Sequence, residues 1–142
     1  MLKKILVPVG FTKHSKGILQ LAYDLAKPMS AKLLIANVVH ERDLEAVERI
    51  ASFGYKVDGD HYIATIQKER TAKLDEYVRD LGISDDIYDF VLLAGDPTTE
   101  LLKTVLKEDI DLVVMGTKVK DIKHIFIGSV AERMFRKCPV PV

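Results

Sequence analysis

Residues 113–130, VVMGTKVKDIKHIFIGSV, contain the residue types that could bind a phosphate group. Gly116 ends a β-branched run, Thr117 offers a hydroxyl, and Gly128 and Ser129 stand where a helix is predicted to begin. A phosphate site needs converging backbone N–H groups, small residues and usually a helix N-terminus. The same residues also fit a plain connection from strand to helix, in which Ser129 only caps the helix. Both interpretations remain open on these residues alone.

Positive charge is concentrated in the same connection, which carries three lysines, Lys118, Lys120 and Lys123. Elsewhere the charges balance, because 21 basic and 21 acidic side chains give a formal net charge of zero. No global field therefore favours nucleic acid or an anionic membrane, and an anion site must be local. No apolar run reaches a membrane-spanning length.

Residues for covalent or metal chemistry are scarce. The four histidines are scattered, and none forms the i, i+4 pair of a helical metal site: His14, His40, His61 and His124. His14 is next to Ser15, but adjacent residues do not face each other on a helix, so no catalytic triad is indicated. We can name no general base or activated nucleophile, which makes an enzyme the least favoured class.

The chain of 142 residues is expected to form one domain, residues 1–142. Its lone Cys138 excludes an intramolecular disulfide framework and indicates a reducing compartment, so we expect the cytoplasm. Five near-continuous apolar runs predict buried parallel strands; they cover residues 4–9, 32–39, 88–95, 111–116 and 138–142.

Segments with helical spacing separate these runs and predict an open α/β sheet with helices on both faces. In the first helix, Ser15 is the expected N-cap, and the inner face is expected to consist of Ile18, Leu21, Ala22 and Leu25. A further helix should end at Gly82, and another should be capped by Asp96, with Leu101, Leu102, Val105 and Leu106 on its inner face. Ligands of such sheets gather beyond the carboxyl ends of the strands.

Three blocks resemble the universal stress protein family, and together they span the chain. They are KKILVPV at the start, GDPTTELLKTVLKEDIDLVVMGT at 95–117 and GSVAERMFRKCPVPV at 128–142. The resemblance implies a single-domain, five-stranded parallel sheet of the Rossmann-like, adenine nucleotide alpha-hydrolase-like type. It also implies a homodimer and, as in many members, ATP as ligand, with Mg²⁺ accompanying it.

Carried over residue by residue, the resemblance places a nucleotide site at the ends of the first, second and fourth strands. The implied residues are Pro8, Val9, Gly10, Val39, Met115, Gly116, Thr117, Lys118, Gly128, Ser129 and Val130.

The chain departs from the family's Gly-x2-Gly-x9-Gly-Ser/Thr signature. Val119 stands at the middle glycine, and the spacer from there to Gly128 is one residue short. A branched side chain restricts φ where glycine is free. In addition, Gly10 stands where ATP-binding relatives usually carry an aspartate, so one polar contact is missing.

Two functional hypotheses therefore stay open. The first is a cytosolic stress-response protein that binds ATP or a related nucleotide through this degenerate loop, with the lysines replacing lost backbone donors and with at most slow ATP hydrolysis. The second is a nucleotide-free dimer that acts through protein partners not identified by the sequence. For the dimer, the terminal run 138–142 offers a sheet edge, with Val140 and Val142 as expected contacts, although Pro139 and Pro141 cannot donate hydrogen bonds.

Overall fold

The computed structural model describes residues 1–54, 59–117 and 129–142. Strands and helices alternate along the chain, as predicted. The strands are β1 (Lys4–Pro8), β2 (Lys32–His40), β3 (Tyr88–Gly95) and β4 (Leu112–Val113). The helices are α1 (Ser15–Ala26), α2 (Glu41–Ser52), α3 (Gly59–Leu81), α4 (Pro97–Lys107) and α5 (Ser129–Lys137), and a short 3-10 helix, Lys27–Met29, follows α1.

The sheet is parallel, in the order β3-β2-β1-β4, which confirms the predicted fold class. In β1, Ile5, Leu6 and Val7 are fully buried, as expected for a strand covered on both faces. Helices α1 and α3 pack on the face that includes Ile5 and Val7, whereas α4 and α5 pack on the face that includes Leu6. Among the described residues, no helix is long and apolar enough to cross a membrane.

The predicted fifth strand at 138–142 is absent, so the described part of the chain forms four strands instead of five. The Val113 N–H donates to the Pro141 carbonyl at 2.9 Å, so the segment does lie beside β4. Pro139 and Pro141 have no N–H to return, and the ladder cannot continue. The strand prediction was thus wrong for a reason visible in the sequence.

The expected inner face of α1 was also partly wrong. Leu21 and Leu25 are 54% and 41% exposed, whereas Leu19, Ala22 and Ala26 are fully buried. Each of these buried residues follows a predicted inner residue by one position, so the buried face is rotated by one residue around the helix. Ser15 is the first helical residue instead of the N-cap, and in α4 Leu106 is 69% exposed instead of inward-facing.

Other helix boundaries follow the sequence as predicted. The Asp96 carboxylate accepts the Thr99 N–H at 3.0 Å and caps α4, with Pro97 at the first helical position. Gly82 ends α3 with a φ of 69°, a left-handed conformation that glycine adopts without steric cost.

Asp111 joins the amino ends of two neighbouring strands. Its carboxylate accepts the N–H of Lys3 at 2.8 Å and of Lys4 at 3.1 Å, while its own N–H donates to the Lys4 carbonyl at 2.9 Å. The hydrogen bonds from Lys3 and Lys4 lower the pKa of Asp111 below its ordinary value of 3.8. This charged contact fixes the start of β4 against β1.

We predict that Asp111→Asn lowers the free energy of unfolding at neutral pH, because the amide accepts the same N–H groups without a charge. A lowered pKa in the folded state contributes stability that is present above the unfolded pKa and lost as pH falls through the folded value. The difference between wild type and variant should therefore shrink in acid, as measured by urea unfolding across a pH series. Asp85→Asn, at an exposed turn before β3, is the control, and a gap that persists unchanged in acid would contradict the assignment.

Candidate functional site

A cavity of about 240 Å³ lies at the carboxyl ends of β1 and β4. β1 is the point where the strand order reverses, since the chain continues to β2 on one side of it and returns to β4 on the other. Open parallel sheets bind their ligands in the crevice that forms at such a point. The cavity is therefore where a ligand site is expected from topology alone.

Most of the described residues in the predicted nucleotide site meet in this cavity. Its lining includes Pro8, Val9, Gly10, Met115, Gly116, Thr117 and Val130. Val39 does not line it and is 1% exposed; the preceding residue, Val38, lines it instead. Ala36, Asn37 and Val38 all contribute to the lining, so β2 reaches the cavity up to one residue before the predicted position.

Three predicted features cannot be placed, because they lie outside the described residues. They are Lys118 with the other two lysines of the connection, Val119 at the middle glycine position, and Gly128. Ser129 is described as the first residue of α5.

The loop between β1 and α1 forms one wall of the cavity and contains an unusual backbone conformation. Phe11 has a φ of 54°, which costs a non-glycine residue about 1–2 kcal/mol. Its ring stacks on Tyr77 of α3 at 6.0 Å between centroids and meets Phe90 of β3 edge-on at 6.4 Å. Each such pair contributes about 0.5–1.5 kcal/mol, so the two contacts are large enough to offset the strain. The aromatic cluster thereby holds the loop in place.

Hydrogen bonds between nearby residues fix the hydroxyl groups of this wall. The Thr12 N–H donates to Ser15 Oγ at 2.9 Å, and the His14 N–H donates to Thr12 Oγ1 at 3.3 Å. The Ser15 N–H returns a bond to the Thr12 carbonyl at 3.1 Å. Thr12, His14 and Ser15 all line the cavity, so its polar groups are positioned before any ligand arrives.

The described lining is mainly apolar and carries little charge. His14 is its one titratable side chain, and no carboxylate is among the lining residues that the structure describes. Within the same described ranges, no cluster of three or more His, Cys, Asp or Glu could hold a metal ion. The wall is thus suited to an uncharged ring with a few hydrogen-bonding groups, as is common for small-molecule sites.

Pro97, the first residue of α4, lines the cavity, so the start of this helix forms part of the cavity rim. The pKa of Asp96 is lowered because the N–H and the hydroxyl of Thr99 donate to its carboxylate, with smaller contributions from the charges of Arg133 and His40. Asp96 therefore stays ionised and stabilises the helix N-terminus.

Several lining residues were missed by the sequence analysis: Thr12, His14, Ser15, Ile18, Ala36, Asn37, Val38, Pro97, Leu101 and Ala131. One of them had a signal, since Asn37 is a polar residue inside the apolar run KLLIANVV. The others come from β2, from the loop after β1 and from helices α1, α4 and α5, and their meeting at one cavity depends on tertiary packing.

Comparison with known proteins gives a consistent result. The model of the universal stress protein family matches residues 1–142. A universal stress protein of Methanocaldococcus jannaschii is 26% identical over 152 aligned positions, covering 100% of this chain and 93% of the relative. A solved structure of the hypothetical protein MJ0577, a designation that this relative also carries, superposes with a TM-score of 0.78 at 24% identity, covering 100% of this chain and 94% of the other.

Two other solved structures contain adenine nucleotides. One is a universal stress protein in complex with cAMP, with a TM-score of 0.65 at 19% identity, covering 99% of this chain and 94% of the other. The second is the universal stress protein of Archaeoglobus fulgidus in complex with dAMP, with a TM-score of 0.63 at 17% identity, covering 100% and 95%. At these identities the likeness shows a shared fold.

Gly116 provides a test of how tightly the cavity wall packs. A Cβ built on Gly116 would overlap Cδ1 of Ile18, whereas one built on Gly10 would meet only Thr12 Cγ2 at 3.8 Å. We predict that Gly116→Ala destabilises the protein by no more than about 1 kcal/mol, because the atom it meets is the flexible end of the Ile18 side chain, and that Ile18→Val, which removes Cδ1, restores part of the loss. Urea unfolding of the single and double variants measures this coupling, with Gly10→Ala as a near-neutral control. Additive effects of the two substitutions would show that the predicted overlap is relieved elsewhere.

Proposed function

The chain belongs to the universal stress protein family, and we propose that its cavity between β1 and β4 binds an adenine nucleotide. The observation that carries this proposal is that residues after β1 and β4 and at the start of α5, which the family resemblance implies for the nucleotide, line one cavity. We further propose that the protein is a cytoplasmic stress-response protein whose interactions depend on whether this ligand is bound.

The chemistry of the wall supports a nucleoside as the part of the ligand that it holds. Ile18, Leu101 and Met115 offer apolar surface to a base, and the hydroxyls of Thr12 and Thr117 offer partners to a sugar. The complexes of related folds with cAMP and dAMP support the same ligand class.

The phosphate end of the ligand would lie toward the connection between β4 and α5. Thr117 and Val130, near the two ends of that connection, both line the cavity, and Lys118 follows Thr117 directly in the chain. A lysine there would supply a point charge for a phosphate, in place of the N–H groups lost with the signature glycine.

The described wall does not fit a Mg²⁺ ion held by the protein. Magnesium is usually bound through one or two carboxylates together with substrate phosphates. Here Gly10 stands at the position of the relatives' aspartate, and the described lining offers hydroxyl and carbonyl oxygens without a carboxylate. We therefore propose that the described wall of the cavity binds the nucleoside without holding a metal ion itself.

We expect ATP, AMP or cAMP to bind in isothermal titration calorimetry of protein freed of carried-over ligand. Val130→Trp should weaken binding at least about tenfold, because the indole would occupy the cavity. Phe135→Trp is the matched control, since it places the same side chain on the same helix at a position that is 75% exposed and outside the cavity.

Absence of heat with all three nucleotides would refute the proposal. It would favour the alternative of a nucleotide-free protein that acts through protein contacts, for which Val119 and Gly10 at two positions of the family's site would then be the sequence basis. Equal binding by Val130→Trp and wild type would place the ligand elsewhere on the molecule.

We also propose a homodimer in which the terminal segment 138–142 contributes the contact. Val140 packs against the chain's own core, which leaves Val142, 39% exposed, as the freer of the two predicted contact residues. Light scattering should give a dimer mass, and Val142→Asp should lower the dimer fraction by placing a charge in an apolar contact. Leu21→Asp, at an exposed position on α1, is the control, and a monomeric mass across a wide concentration range would refute the dimer.

A further inference from the structure

Asn37 is a buried polar side chain in the middle of β2, with only 6% of its surface exposed. Its Nδ2 donates to the Val9 carbonyl at 2.6 Å, and its Oδ1 accepts a hydrogen bond from Nη1 of Arg70 on α3. A buried amide is costly when it is unpaired, so these two bonds are what allow a polar residue here. They link the end of β1, the middle of β2 and α3.

The chemistry of the two partners fixes the orientation of the amide. A guanidinium group has only donors, and a carbonyl oxygen has only acceptor capacity. Oδ1 must therefore face Arg70, and Nδ2 must face Val9, because the flipped amide would set donor against donor and acceptor against acceptor. Arg70 thus holds the Asn37 amide with its oxygen toward α3 and its nitrogen toward Val9.

Among the described residues, the second N–H of this amide has no acceptor. An Asn side chain carries two N–H donors, and the Val9 carbonyl accepts one of them. Asn37 also lines the cavity, in which its described neighbours are largely apolar. A fixed donor in an apolar wall is the kind of group that discriminates between ligands, since a ligand without a matching acceptor leaves it unpaired.

We infer that Asn37 is a specificity-determining residue of the nucleotide site. Its second amide N–H is donated to an acceptor atom of the bound nucleoside, and Arg70 is the positioning residue that holds the amide for this contact. The inference rests on the proposed function, because it assumes that the ligand of the cavity is a nucleotide. Arg70 itself is not among the residues that line the cavity, so it acts through Asn37.

The hydrogen bond to Val9 gives Arg70 a second effect on the same wall. The Val9 N–H donates to the Ala36 carbonyl at 2.8 Å, and the Val9 carbonyl accepts from the Asn37 side chain. Both polar backbone groups of Val9 are therefore bonded to residues of β2. Gly10 follows directly, and both residues line the cavity. Loss of Arg70 would release the amide and, with it, one of the bonds that hold the end of β1.

Calorimetric titration with AMP tests this inference on four variants of the full chain. Arg70→Met removes the partner of Oδ1 and should weaken AMP binding about tenfold, the loss of roughly one hydrogen bond. Arg70→Lys should retain most of the affinity, because an ammonium group can still donate to Oδ1. Lys73→Met, which removes a charge from an exposed position of the same helix, should bind as wild type.

Asn37→Asp removes the N–H donors of the side chain and keeps its shape. The carboxylate has the same shape and still accepts from Arg70, but it has no N–H for Val9 or for the ligand. We expect AMP binding at least as weak as in Arg70→Met. In wild type, the side-chain amide signals of Asn37 in the ¹H–¹⁵N NMR spectrum should shift when AMP is added.

The outcomes distinguish this inference from the proposed function. If wild type binds none of the nucleotides, both fail. If wild type binds AMP while Arg70→Met and Asn37→Asp bind it equally well, the inference alone is overturned. If Arg70→Met does not fold, the Asn37→Asp titration and the NMR shift decide, and amide signals that do not move on AMP addition overturn the inference.

Discussion

Burial of β1 on all sides is the constraint on which the rest of this structure depends. The strand pairs with β2 from Lys4 to Pro8 and with β4 at Ile5 and Leu6, and helices cover both of its faces. A strand in this position has no exposed edge and must be apolar in nearly every residue. Because it is central, the chain leaves its carboxyl end in one direction and returns beside it from the other, which opens the cavity.

The two ends of β1 are stabilised in different ways. At the amino end, the Asp111 carboxylate joins β1 to β4, and Lys4 forms an ion pair with Glu108 at 2.9 Å. At the carboxyl end the contacts are an aromatic cluster around a strained Phe11 and the buried Asn37 amide. Charged contacts in water are tolerant of small shifts, whereas a buried amide and a stacked ring need one geometry. The end that would bind a ligand is thus the more rigidly specified one.

The sequence was sufficient to predict the elements that depend on continuous apolar runs. β2 and β3 begin at the predicted residues and end within one residue of the predicted limits. β4 was predicted over 111–116, but it is assigned only at Leu112 and Val113 because its pairing with β1 covers only those residues. The next residues, Met115 to Thr117, line the cavity instead. The fifth strand was predicted from Val140 and Val142 and is missing because Pro139 and Pro141 cannot donate ladder hydrogen bonds.

Helix faces and the cavity wall were harder to predict, because both depend on distances between elements. A hydrophobic pattern favours Leu21 and Leu25 over Ala22 and Ala26, yet in the packed protein α1 buries the two alanines and exposes the two leucines. The motif residues of the site follow from strand ends, which is a local property. The bond between Arg70 and Asn37 joins residues 33 positions apart, and nothing in the pattern of α3 distinguishes Arg70 from the helix's exposed charges.

Together, these contacts give a physical reason for a polar residue in the core of β2. A valine at position 37 would need no hydrogen-bond partner, so the hydrogen bond from Arg70 would not be required. It would also leave the Val9 carbonyl without its present donor and the cavity without a fixed N–H on that wall. The buried amide therefore has a structural role, as donor to the Val9 carbonyl, and the inferred role of offering its second N–H to the cavity requires the same side chain in the same orientation.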